Sequence, residues 1–183
     1  MLHLPITSLV ERILMPLLRL LSAALVLALS APVLAAQTTV AASDVDRLVG
    51  PGWTGTLTYR DYSNDARTSI KAALLLTRMA SLADAGARWD LRVAYADEPH
   101  ANSGDTISLS PDGRRFRNAT VMERRVLPDG RVQFVTEEEG RDNDRPARIR
   151  MVYTIGERST SWQKLVRYEG AEYFERHIYE WTR

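Results

Sequence analysis

The chain contains no cysteine. That excludes disulfides, thiol catalysis, thiolate metal sites and the lipid attachment of bacterial lipoproteins, so the folded state rests on its core alone. Histidine is almost as scarce, and beyond residue 36 only His100 and His177 remain. A metal site would need both to converge with carboxylates such as Asp61 or Glu98, and no metal site is expected. Asp142-Asn143-Asp144 lacks the alternating spacing of a calcium loop. Enzyme signatures are missing as well. There is no Gly-x-Ser-x-Gly elbow, no phosphate-cradling glycine loop and no His-Glu-x-x-His. No catalytic residue and no cofactor is assigned.

Charge is lacking in one long stretch. Leu20 to Ala36 (LLSAALVLALSAPVLAA) is uncharged and apolar, follows the basic residues Arg12 and Arg19, and ends in small residues. This order is that of a secretory signal peptide, expected to be cleaved near Ala36 and to send the rest to the bacterial periplasm. The alternative is a retained anchor over Ile13–Ala36, which Arg19 and Pro32 interrupt. Without residues 1–36 about 147 residues remain, enough for one domain with a real core. They carry 22 basic and 22 acidic side chains, a formal charge of zero. Such a surface has no field to draw it onto nucleic acid or an anionic membrane, and stable membrane insertion is not expected after cleavage.

What the chain does have is alternation. Trp53, Gly55, Leu57 and Tyr59 share one face of an extended segment; so do Trp89, Leu91, Val93 and Tyr95, and Ile149, Met151, Tyr153 and Ile155. Side chains in a strand point to opposite faces in turn, so each segment has one dry face and one wet one. Weaker alternation covers 68–79, 105–110, 114–126, 131–138, 161–168 and 172–183. Pro111-Asp112-Gly113 and Pro128-Asp129-Gly130 are turn sequences, and Gly140–Asp144, Gly156–Ser159 and Glu169–Ala171 read as further hairpin loops. Residues 37–52 support one short helical turn, with Ser43 as its cap and Gly50-Pro51-Gly52 as its stop. Ala80–Ala87 is the other stretch of helical character. The fold expected is all-β: an antiparallel up-and-down β-barrel of about 8–10 strands over residues 53–183, since an open sheet of that length leaves apolar edges exposed. A flattened sandwich is the competing arrangement.

Four places in this pattern resemble the calycin-like barrels, which include the lipocalins. Gly52-Trp53-Thr54-Gly55 opens the first strand and Tyr59-Arg60-Asp61-Tyr62 ends it. Tyr95-Ala96-Asp97-Glu98-Pro99 follows a later strand, and the last strand closes with Phe174–Arg183. The chain is more closely similar to small exported bacterial proteins with a lipocalin-like domain. The resemblance implies a barrel, a structural Trp53 stacked under an arginine of the last strand (Arg176 or Arg183), and apolar ligand binding. Pro51 stands where lipocalins have glycine.

The candidate ligand-binding residues are Tyr59, Tyr95, Glu98, Tyr153, Arg176 and Tyr179. The rings supply apolar walls with polar tips, Arg176 a polar anchor, and Glu98 a rim carboxylate within Asp97-Glu98-Pro99-His100. The partner expected is a small apolar or amphipathic molecule; oligomeric state stays open. The competing readings are a barrel filled by these rings that acts through its surface, and an enzyme acting from the Asp97–His100 rim. Glu137-Glu138-Glu139 and Arg145–Arg150 flank one loop with opposite charge, as an exposed ladder or an anion site.

Overall fold

The computed structural model describes residues 38–80 and 86–183. The expected signal peptide and residues 81–85 of the second helical stretch lie outside the described residues. A five-residue helix, α1 (Ala42–Asp46), precedes ten strands: β1 (Gly50–Arg60), β2 (Arg67–Arg78), β3 (Ala87–Tyr95), β4 (Ser103–Leu109), β5 (Arg115–Phe116), β6 (Ala119–Val126), β7 (Val132–Asp142), β8 (Arg145–Ile155), β9 (Ser159–Arg167) and β10 (Phe174–Thr182). Each strand pairs antiparallel with the next, and β10 pairs back onto β1 to close an up-and-down barrel. The competing sandwich is not formed.

Alternation sets the inward face. In β3, Ala87, Trp89, Leu91, Val93 and Tyr95 are buried, while the residues between them are exposed or half-buried. Trp53, Trp89, Trp181, Tyr153, Phe116 and Phe134 are fully buried. Burying a large apolar side chain contributes roughly 1.5–3 kcal/mol, so these six rings dominate the core of a chain that has no disulfide. Room for Trp181 comes from Gly55 on the neighbouring strand, where a Cβ would sit 1.8 Å from the Glu180 carbonyl oxygen.

The end of the barrel nearest α1, its base, is closed by α1, the residues that follow it and Arg183. Val45 and Leu48 are fully buried there. Trp53 Nε1 donates to the Leu48 carbonyl (2.9 Å), and the Arg183 guanidinium lies 4.5 Å from the Trp53 ring centroid. Arg183 also donates to the carbonyls of Arg47, Val49 and Glu157. Of the two arginines expected at this position, Arg183 takes it. The helix cap differs from expectation. Asp44, not Ser43, supplies the carboxylate, accepting from the Ala41 amide (2.8 Å) and from Arg124 of β6 (2.7 and 2.8 Å).

Two other local readings change. Residues 114–126, read as one strand, divide into β5 and β6 because Arg117 adopts a left-handed backbone (φ 58°). The loop read over Gly140–Asp144 is shorter. Strand β7 continues through Asp142, and Asn143 and Asp144 alone make the turn, both with positive φ, as the right-handed twist of a two-residue hairpin demands.

Candidate functional site

The division at Arg117 leaves the wall incomplete. Strand β5 meets β4 at one residue pair, Leu109 with Phe116, and β6 meets β7 no farther along than Thr120 with Glu137. Ser103–Ser108 of β4 and Glu138–Asp142 of β7 therefore have a ladder partner on one side only. On the β4 side of the resulting slot Arg117 forms an ion pair with Asp105, and the Arg117 amide holds the Ser108 carbonyl (2.6 Å).

Behind the slot is a recess of about 310 Å³ lined by Phe116, Arg117, Ala119, Thr136, Glu138, Ile149, Met151, Tyr153 and Lys164, with Asn118 at its lip. The strand registers explain the convergence. Thr136, Met151 and Lys164 are directly cross-paired over β7, β8 and β9, and Phe134, Tyr153 and Trp162 form the next inward row. Phe116, Phe134 and Tyr153 pack with centroids 4.7–5.1 Å apart as an aromatic floor. Burial pushes the Tyr153 hydroxyl up to about 12, so it stays protonated; the Arg117 guanidinium and Thr136 hydroxyl lie beside it. Thr136 Oγ1 is buried and makes no well-formed hydrogen bond among the described residues. An unpaired buried hydroxyl costs about 1–3 kcal/mol, a penalty that a ligand or water in the recess would remove.

At the rim, a second polar group is already satisfied. The fully buried Asp142 carboxylate accepts from Tyr62 (2.8 Å), Lys164 (3.0 Å), Tyr168 (3.0 Å) and Arg176 (3.0 and 3.2 Å). Burial by itself would raise its pKa. The hydrogen bonds from Lys164 and Tyr62, the Lys164 charge and the Tyr168 bond prevail and hold it down to about 2. His177, cross-paired with Lys164 and Tyr59, is driven the other way from an ordinary imidazole: burial first, then the Lys164 charge, lower it to about 4. It is neutral at physiological pH.

The residues singled out from sequence are divided among three places. Tyr153 forms the floor of the recess. Tyr95 and Tyr179 face each other inside the barrel with their hydroxyls 2.7 Å apart, and Tyr59 is half-buried on the inward face of β1 beside His177. Arg176, two residues before Ile178 and so on its face by simple alternation, turns inward at a bulge between Glu175 and His177; its guanidinium is committed to Asp142, the Arg60 carbonyl (3.1 Å) and the Tyr62 ring (3.7 Å). Glu98 precedes a single 3-10 turn (Pro99–Ala101), away from the recess, and its carbonyl accepts from the Ala101 amide. Asp97, Glu98 and His100 form no ion pairs among the described residues. No group of three or more metal-ligating residues that could hold an ion occurs among the described residues. The Glu137–Glu139 and Arg148–Arg150 segments form the exposed ladder, with Arg150 on Glu137 and Arg148 on Glu139.

Sequence reasoning missed Arg117, Thr136, Lys164 and Asp142, and placed Met151 only on a dry strand face and Glu138 only in a charged ladder. For Asp142 a signal existed, since Asn143-Asp144 suits a two-residue turn that would keep Asp142 within the strand. For Arg117 there was none, as arginine rarely adopts positive φ. No family model matches this chain, and no curated protein shows significant similarity to it.

Proposed function

We propose that this protein is an exported, periplasmic, lipocalin-like barrel that binds a small amphipathic molecule in the recess walled by β5 to β9 and does no chemistry on it. The observation that carries the reading is the recess itself, whose aromatic floor of Phe116 and Tyr153 and apolar Ile149 and Met151 are joined by the Thr136 hydroxyl and a few charged groups. Apolar walls with a small number of convergent polar groups are what ligand pockets share. The volume suits a ligand of about ten non-hydrogen atoms, taking roughly 30 Å³ each as for liquid water. A leader directing export, as read from residues 20–36, would limit the ligand to what reaches the periplasm.

The packed rings elsewhere support a second reading, a barrel filled by its own side chains that works through its surface. Titration with benzyl alcohol, followed by amide chemical shifts, separates the two. Ligand binding predicts saturable shifts concentrated at Phe116–Ala119, Thr136 and Met151. Shifts that stay linear and scattered, together with no small molecule extracted from protein purified out of its native host, would overturn ligand binding in favour of the filled barrel.

A further inference from the structure

The charges around the recess balance in total but not in place. Arg117 is matched by Asp105. Asp142, with a single negative charge, serves both Lys164 and Arg176. One positive charge is therefore uncompensated on that side. Arg176 is stacked on Tyr62 and does not line the recess, so Lys164 presents the surplus to it. Opposite, Glu138 is an inward register position of β7, lines the recess, and forms no ion pair or hydrogen bond among the described residues. Its cross-strand partner is Ile149, which offers no charge. Glu138 and Lys164 do not reach each other, although both face the same space.

A lone anion in this recess would leave Glu138 unpaired and repel it; a lone cation would meet the Lys164 ammonium. A molecule carrying both charges satisfies both ends and spans the gap with two charge-assisted hydrogen bonds of about 2.8 Å each. Resting on the reading of the recess as a binding site, we propose that its ligand is a small zwitterion with an apolar body, of the class of hydrophobic α-amino acids. The ammonium lies on Glu138, with the Thr136 hydroxyl as a further acceptor. The carboxylate lies on Lys164, and the side chain packs on Phe116, Tyr153 and Met151. Leucine, with nine non-hydrogen atoms, is within the size the recess allows.

Four probes of similar size test this on the chain expressed from its full coding sequence, by calorimetry and amide shifts: L-leucine, 3-methylbutylamine (leucine without its carboxylate), 4-methylpentanoate (leucine without its amine) and benzyl alcohol. Leucine is expected to bind at least tenfold more tightly than either truncated form. Glu138→Gln should weaken leucine about tenfold, leave benzyl alcohol unchanged and tighten 4-methylpentanoate by relieving its repulsion. Lys164→Gln should weaken leucine and leave the amine unchanged or improved. Glu138 is exposed and unbonded, so its variant folds normally and carries the test even if Lys164→Gln disturbs the Asp142 group. If the amine or the acid alone binds as tightly as leucine, or Glu138→Gln has no effect, the zwitterion proposal is overturned while binding in the recess stands. If benzyl alcohol also fails to bind, both are overturned.

Discussion

The base and the rim of this barrel treat their interiors differently. Toward the base, rings fill the space in a continuous run. Tyr179 stacks on Trp181 (4.7 Å), Trp181 meets Trp162 edge-on (5.4 Å), Trp162 meets Tyr153 (5.5 Å), and Tyr153 stacks on Phe134 (4.7 Å). Toward the rim, on the β4–β7 side, the same inward positions hold Asp105, Arg117, Thr136, Glu138 and Lys164, and a recess remains. Both regions use the same strands and the same alternation. The difference lies in what stands at each inward position, and in a wall that thins to two residues at β5. One region is occupied mainly by apolar area and supplies stability, with the Trp162 and Trp181 indole N–H groups unpartnered within it among the described residues; the other is held by polar and charged groups around an open recess.

The contrast is broken most severely by truncating a ring at the base. Trp181→Ala should cost about 3–5 kcal/mol in urea unfolding, because close-packed neighbours relax only partly into the space left behind. Met151→Ala, at the half-open recess, should cost about 1 kcal/mol. Equal losses at the two sites would show that the recess is core like the rest.

Asp142→Asn comes next. It removes the charge that Lys164 and Arg176 share in burial, and should cost about 3 kcal/mol, measured the same way. A loss below 1 kcal/mol would mean that the rim tolerates unpaired cations and that solvent reaches them.

A further effect, smaller than that of Asp142→Asn, is in acid. The folded pKa of His177, about 4, lies below its ordinary 6.5, so the folded state resists protonation. Its contribution is complete above pH 6.5, is lost as pH falls from there toward 4, and amounts to roughly 2 kcal/mol once discounted for partial exposure. Asp142, depressed to about 2 from 3.8, loses its own contribution between those lower values. Stability should therefore decline in two acid stages. His177→Gln should flatten the first and leave the second, as followed by urea midpoints from pH 7 to pH 2; an unchanged first stage would assign it to other groups.

How far the sequence foretold each region follows from the same contrast. The base was legible because its residues are large, apolar and regularly spaced: Trp89–Tyr95 alternates without error, and Trp53 and Arg183 meet at the closure as anticipated. Of the recess, the apolar face of Ile149, Met151 and Tyr153 was legible, and Tyr153 alone was singled out as a site residue. Its polar groups take their meaning from register. Thr136, Met151 and Lys164 lie far apart in the chain and become a row only when three strands pair. Arg176 was picked out, but the bulge before His177 depends on how β9 receives β10, which no spacing within β10 reveals.

The short β5 carries a further consequence, for how copies of this protein behave when crowded. Where β4 and β7 lack a neighbour, backbone amides and carbonyls are free to recruit a strand from another molecule, the first step toward a cross-β aggregate. The charges that frame the slot, Asp105 and Arg117 on one side and Glu138 and Glu139 on the other, make such an addition unfavourable, since an incoming chain would have to desolvate them. A polar slot thus leaves the barrel wall incomplete while opposing the addition of a strand from another copy.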